Sequence, residues 1–129
     1  MWVIINNIIP FRGFLAITFW PFIFARRTLN EVDINHESIH GRQQLEVMLA
    51  SFLILLPFIL IGLSAWLFLC VPLIFYIWYI LEYFIRGIMN GGNWGKAYKK
   101  IAFEQEAYGN EENLDYLKSR KLFSWLKYY

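Results

Sequence analysis

The chain of 129 residues contains two histidines, and they stand four positions apart with a glutamate directly after the first: His36-Glu37-Ser38-Ile39-His40. On a helix, residues i and i+4 share one face about one turn apart. Two imidazoles placed in this way can bind one zinc ion. The intervening glutamate lies beside the pair, where it can polarise a water and take its proton. His36 and His40 are therefore candidate metal ligands, and Glu37 is the candidate catalytic base. The plainer reading of the same residues is a polar helix with two solvated histidines.

A catalytic zinc usually has three protein ligands and a water. A third histidine is excluded by composition. Glu46 occupies the spacing at which metzincins place their third ligand. Those proteins first break the helix with a glycine, and the corresponding residue here is Gln43. On an unbroken helix Glu46 points well away from the histidine pair, at about 100° per residue. A better donor lies in Ala102-Phe103-Glu104-Gln105-Glu106-Ala107-Tyr108. Glu104 shares a helical stripe with Ala97, Ile101 and Tyr108, which turns it inward. A carboxylate among apolar neighbours needs a partner, and a metal ion is one. Glu106 falls on another side of the wheel, near Lys99. The competing reading of Glu104-Gln105-Glu106 is a solvated acidic face. Glu37-x-x-His40 also fits half of a di-iron carboxylate site, but no histidine remains for the other half. Tyr83, Tyr98 and Tyr108 could stabilise an oxyanion, and nothing in the sequence chooses among them.

These residues must be carried by a largely apolar chain. Apolar residues make up 58% and aromatic residues 20% of it, with charged residues depleted. Between Glu46 and Glu82, 35 consecutive positions carry no Asp, Glu, Lys, Arg or His. Such a run is a membrane signal. As one straight helix it would extend about 52 Å, against a hydrocarbon core about 30 Å thick. Two short antiparallel spans meeting near Gly62-Leu63-Ser64 fit better, crossing fully or re-entering on the same side. Pro57 and Pro72 would kink them. The expected fold is thus mainly α and membrane-embedded, with residues 1–129 as a single domain. Residues 31–88 would form the His-bearing helix and the membrane hairpin. Asn30 and Asp33 are candidate N-caps.

Residues 1–28 are rich in Ile, Phe, Thr and Trp and are broken by Pro10, Gly13 and Pro21. Short strands suit them better than a helix, as a hairpin of roughly 14–19 and 22–26. The alternative is an apolar segment lying in the interface. Residues 95–129 would be helical, over about 95–108 and again over 111–120. Their aromatic and basic tail, from Leu122 to Tyr129, suits a membrane surface. The single Cys70 cannot form an intrachain disulfide. The N-terminus lacks the pattern of a secretory signal, so Met1 is expected to remain.

The net charge of +2 is too small to suggest nucleic acid. Basic residues flank the apolar run on both sides, with Arg26, Arg27 and Arg42 before it and Arg86, Lys96, Lys99 and Lys100 after it. None sits at the proposed tip. A hairpin would bring both flanks, and with them the C-terminal helices, to one membrane face. The positive-inside rule makes that face cytoplasmic. The expected location is the inner membrane, with the lipid bilayer as partner and the site at the cytoplasmic boundary.

His36-Glu37-Ser38-Ile39-His40 followed by Glu104-Gln105-Glu106-Ala107 resembles the gluzincin metallopeptidases. That resemblance implies a Zn2+ cofactor held by His36, His40 and Glu104, with Glu37 as catalytic base and a peptide or protein as substrate. The whole chain also resembles small uncharacterised membrane proteins of the Bacteroidetes type. The likeness lies in Asn35-His36-Glu37, His40, Gln43-Gln44, the stretch from Phe75 to Tyr83, and Glu104 to Tyr108. The expected activity is a small membrane-associated zinc metallopeptidase. The alternative is a non-catalytic membrane scaffold or accessory subunit with a structural metal.

Overall fold

The computed structural model describes all residues from Met1 to Tyr129. Three strands come first: β1 (Trp2–Ile5), β2 (Ala16–Phe19) and β3 (Phe22–Ala25). They form one sheet in the order β1-β3-β2. β2 and β3 make the antiparallel hairpin anticipated from the β-branched and aromatic run, with Phe19 opposite Phe22 at the turn. β1 is an addition. It pairs in parallel with β3, Trp2 opposite Phe22 and Ile5 opposite Ala25. The sheet buries Ile23 and Ala25 of the central strand with Leu29, and Leu15, Ala16 and Ile34 pack around them.

Five helices follow: α1 (Glu31–Leu60), α2 (Val71–Met89), α3 (Trp94–Lys99), α4 (Ala102–Asn110) and α5 (Tyr116–Ser119). Short 3-10 segments cover Ala65–Cys70 and Ser124–Tyr128. The chain is therefore mainly helical with a small sheet. It divides into two compact units, one of Met1–Gln43 with Ala102–Tyr129 and one of Gln44–Ile101.

The start of α1 follows from its cap. The Asn30 carboxamide oxygen accepts from the Asp33 N–H at 2.7 Å, and the Asp33 carboxylate accepts from the Asn30 N–H at 3.2 Å. This reciprocal pair satisfies two N–H groups that the first turn leaves open.

Within the unit Gln44–Ile101, α1 ends in a Schellman motif. The Leu63 N–H reaches the Phe58 carbonyl at 3.0 Å and the Gly62 N–H reaches the Ile59 carbonyl at 3.1 Å. Gly62 takes φ +112°, a left-handed conformation suited to glycine. The chain then returns alongside itself. The Gln44 amide donates to the Tyr76 hydroxyl at 3.3 Å, and the Phe52 and Phe68 rings stack with centroids 4.8 Å apart. Partner numbers fall as α1 advances, so the two legs are antiparallel and the turn sits where Gly62-Leu63-Ser64 placed it. Glu31–Leu60 and Ala65–Met89 are both long and apolar enough to cross a membrane. Leu49, Leu53 and Ile54 on the first leg, and Ile77, Leu81 and Ile85 on the second, are exposed.

Three further features depart from the sequence reading. The helix expected over about 95–108 is two helices, α3 and α4, separated at Lys100-Ile101. The helical stretch expected over 111–120 is reduced to the single turn α5. The C-terminal tail is not wholly a surface segment. Trp125 is buried and packs on Phe103 of α4, with ring centroids 4.8 Å apart, because a tryptophan next to an apolar helix face gains more by burial than by display.

Candidate metal centre

The first three turns of α1 and the first turn of α4 supply the candidate ligands, all within one compact unit. His36 and His40 project from the same face of α1, as their spacing requires. Their Nε2 atoms lie 3.1 Å apart. Glu104 meets them from α4: Oε1 is 3.2 Å from His40 Nε2, and Oε2 is 3.6 Å from His36 Nε2. One donor atom from each of the three residues lies within 4.8 Å of the others, so the cluster could hold a metal ion. Ligand atoms about 2.0–2.1 Å from a tetrahedral zinc stand roughly 3.3 Å from one another. The separations of 3.1 Å between the two Nε2 atoms and 3.2 Å from His40 Nε2 to Oε1 are close to that value, while the 3.6 Å approach to His36 is made by the other carboxylate oxygen.

The outer nitrogens decide what the inner ones offer. His36 Nδ1 lies 2.7 Å from the Glu111 carboxylate, and His40 Nδ1 lies 2.8 Å from the Gln43 side-chain oxygen. Both partners are acceptors, so each Nδ1 must carry the proton and donate it. The orientation of the Gln43 amide is itself fixed. Its nitrogen donates to the Phe103 carbonyl at 3.0 Å and to Glu106 Oε2 at 2.9 Å, which leaves the oxygen for His40. In neutral imidazoles both Nε2 atoms then present bare lone pairs. Two lone pairs and a buried carboxylate converging on one point call for a cation.

Other residues hold this geometry in place. The Asn35 amide donates to the carbonyls of Asn110, Glu111 and Asn113 at 3.3, 2.8 and 3.0 Å. It thereby ties the turn after α4 to α1 and delivers Glu111 to His36. The Tyr108 ring lies edge-on to His36, centroids 4.7 Å apart. Tyr108, one of the three tyrosines weighed from sequence, thus lies beside the site.

Glu37, the third member of the motif, is not among the clustered ligands. The Thr18 hydroxyl lies 2.7 Å from Glu37 Oε2 and 2.8 Å from the Glu37 carbonyl oxygen. Thr18 is in β2, an edge strand, so the sheet edge runs past the motif. Glu46 also stays outside the cluster, as an unbroken α1 implies.

Glu106 differs from the sequence expectation. The wheel set it near Lys99, but that wheel assumed one continuous helix, and α3 ends at Lys99. Glu106 is instead fully buried. Arg120 donates to it from Nε at 2.7 Å and from Nη2 at 3.1 Å, and the Tyr116 hydroxyl donates at 2.7 Å. Burial pushes the Tyr116 hydroxyl above its ordinary pKa, and the hydrogen bond to the Glu106 carboxylate pushes it further. Asn35, Gln43, Glu106 and Glu111 were not assigned these roles from sequence. Asn35, Gln43 and Glu111 reach across 60 to 78 residues of chain to these partners, whereas Glu106 also has Tyr116 and Arg120 only 10 and 14 residues further on.

No family model, curated protein or solved structure matches the chain. The functional reading therefore stands on the geometry of these residues and on the motif they share.

Proposed function

We propose that the protein is a small membrane-associated zinc metallopeptidase. The observation that carries the reading is the convergence of His36 Nε2, His40 Nε2 and the Glu104 carboxylate, with both outer imidazole nitrogens bound to acceptors. Imidazole and carboxylate donors suit zinc, and three of them leave a position for water or substrate. A bound zinc would supply Lewis acidity, polarising a carbonyl and acidifying a water. The residues of the chain do the rest. His36 and His40 hold the ion from one rigid helix, and Glu104 closes the set. Glu37 takes the proton from the attacking water and passes it to the leaving amine. Thr18 steadies the Glu37 carboxylate through its hydroxyl. The edge of β2 offers main-chain groups that can align an extended peptide beside the motif.

Glu37→Gln separates this reading from a scaffold with a structural metal. The variant is expected to keep zinc close to one ion per chain. It should lose cleavage of an unstructured peptide by at least about 100-fold, at the lower end of general-base contributions. Equal cleavage by wild type and variant would remove Glu37 as base. Loss of zinc comparable to His36→Ala would make Glu37 a ligand instead.

The membrane assignment rests on the apolar surface that the antiparallel legs expose. Large exposed apolar patches are uncommon on soluble monomers, and a bilayer would cover these side chains. The flanking arginines and lysines favour the inner membrane with both chain ends of the hairpin at the cytoplasmic face. In a Cys70→Ser background, Ser64→Cys is expected to react with an impermeant thiol reagent from the face opposite Ser38→Cys. Labelling of both positions from the same side would replace the full crossing with a re-entrant hairpin.

A further inference from the structure

We infer that Gln43 is a positioning residue for the metal centre: it fixes the proton of His40 on Nδ1, and the buried Glu106–Arg120–Tyr116 cluster fixes Gln43. The inference rests on the metal reading of His36, His40 and Glu104 for its consequence, but its geometry is independent of any ion.

Gln43 follows His40 by three residues, so both lie on one face of α1. Its side chain is completely buried. An amide can serve His40 through either end, and the wrong end would present N–H to Nδ1. The imidazole would then have to hold its proton on Nε2, the atom that faces the site. The Gln43 amide is prevented from turning by two acceptors on α4, the Phe103 carbonyl at 3.0 Å and Glu106 Oε2 at 2.9 Å. Either one alone would favour the observed orientation, and together they leave the reversed amide with an oxygen against two oxygens. Glu106 is held as an acceptor toward Gln43 because Arg120 donates to both of its oxygens, at 2.7 and 3.1 Å. The Tyr116 hydroxyl adds a further donor at 2.7 Å. A path of hydrogen bonds thus runs from Arg120 through Glu106 and Gln43 to His40 Nδ1. It sets which nitrogen of His40 is free to bind.

This arrangement parallels the one on His36, where Glu111 takes the Nδ1 proton directly. The two imidazoles are held by different chemistry, one by a carboxylate and one by an amide. An amide adds no charge beside the ion. It also brings a second, directional end, so that His40 inherits its orientation from α4 and from the segment after it. The C-terminal segment is accordingly part of the metal centre without supplying a ligand beyond Glu104.

The test compares Gln43→Leu, Gln43→Glu and the double variant Gln43→Glu/Glu106→Gln. Zinc affinity is measured by competition with a chromophoric chelator. The imidazole protons of 15N-histidine-labelled protein are read by NMR with and without zinc. In wild type, His40 Nδ1 is expected to carry a slowly exchanging proton in both states. Gln43→Leu should lose that protection and about 10–100-fold in zinc affinity, the usual effect of removing an outer hydrogen-bond partner. Gln43→Glu keeps an acceptor for His40 but sets a second carboxylate against Glu106, so it should be less stable than wild type. The double variant restores a donor between positions 43 and 106 and still leaves a carboxylate oxygen against the Phe103 carbonyl, so it should keep the protected proton and recover only part of the stability lost in Gln43→Glu. A protected Nδ1 proton and wild-type affinity in Gln43→Leu would overturn the inference. So would a double variant whose His40 Nδ1 proton is no better protected than that of Gln43→Leu. Absence of zinc from wild type, with the protected proton still present, would remove the metal reading and leave the positioning role of Gln43 standing.

Discussion

Glu104→Ala is expected to lower zinc affinity by more than about 100-fold, since losing an outer-shell partner alone costs about 10–100-fold. The expectation follows from where the carboxylate sits. Glu104 is the one residue that brings the cluster from two donors to three, and it does so from a helix that begins 42 residues beyond the end of α1 in sequence. A pair of imidazoles on one helix turn can hold a zinc ion only weakly, because water must supply the remaining positions. The buried carboxylate would add a third bond and the negative charge that offsets an ion. Alanine removes both. Glu46→Ala is the matched control, another buried carboxylate of the chain that stands outside the cluster. Elemental analysis and chelator competition on the two variants give the answer. Wild-type affinity in Glu104→Ala would end its role as a ligand. Loss in both variants alike would point to unfolding, which circular dichroism on the same samples detects.

The parts of this site that could be read from the sequence are those written in a short stretch of chain. His36 and His40 declare themselves because helical spacing alone brings them together. Asn30 and Asp33 are legible as a cap for the same reason, and Gly62 as the turn of the hairpin. Glu104 was found through a stripe that included Ala97 and Ile101, yet the helix is broken between Lys99 and Ala102. Glu104 does face inward, but the stripe does not account for it, since Tyr108, its other member on α4, is exposed. The same break explains why the placement of Glu106 near Lys99 failed. A wheel drawn through an interruption gives a wrong angle for every residue beyond it.

What stayed hidden is non-local. β1 joins the sheet in parallel across 20 residues, and parallel pairing leaves no turn signature between the partners. Asn35 ties to the carbonyls of residues 110, 111 and 113, which have no side-chain signal at all. In the sequence Gln43 stands out as the wrong residue for a helix break and as part of the Gln43-Gln44 pair, neither of which points to this role. Its role depends on an amide orientation that Phe103 and Glu106 set from 60 and 63 residues away. Trp125 illustrates the same limit. An aromatic and basic tail has the composition of a membrane-surface segment, and composition does not reveal that one of its rings has Phe103 to pack against.

Arg120→Leu is expected to destabilise the unit that holds the candidate metal centre by about 3–5 kcal/mol, the usual result of removing one partner from a buried ion pair. Arg120 and Glu106 are both buried, and the guanidinium donates to both carboxylate oxygens. Leucine replaces the arginine stem but leaves the Glu106 charge with only Tyr116 and Gln43 as donors. That loss should appear as a fall in melting temperature of roughly 10 °C or more in detergent micelles. The double variant Glu106→Leu/Arg120→Leu separates the cost of the orphaned charge from the worth of the pair. It removes both ions, so it should be more stable than Arg120→Leu alone, while releasing Gln43 and therefore still binding zinc poorly. Tyr116 supplies a pH signature for the same cluster. Its folded pKa is raised above the unfolded value of about 10, so its contribution is complete below that pH and is lost as pH rises beyond it. Wild type should therefore lose stability in alkali more steeply than Tyr116→Phe, which has no proton to give up. Identical alkaline profiles would mean that the hydroxyl does not donate to Glu106. A melting temperature unchanged in Arg120→Leu would mean that Arg120 does not support the Glu106 carboxylate, and the path from Arg120 to His40 would lose its anchor.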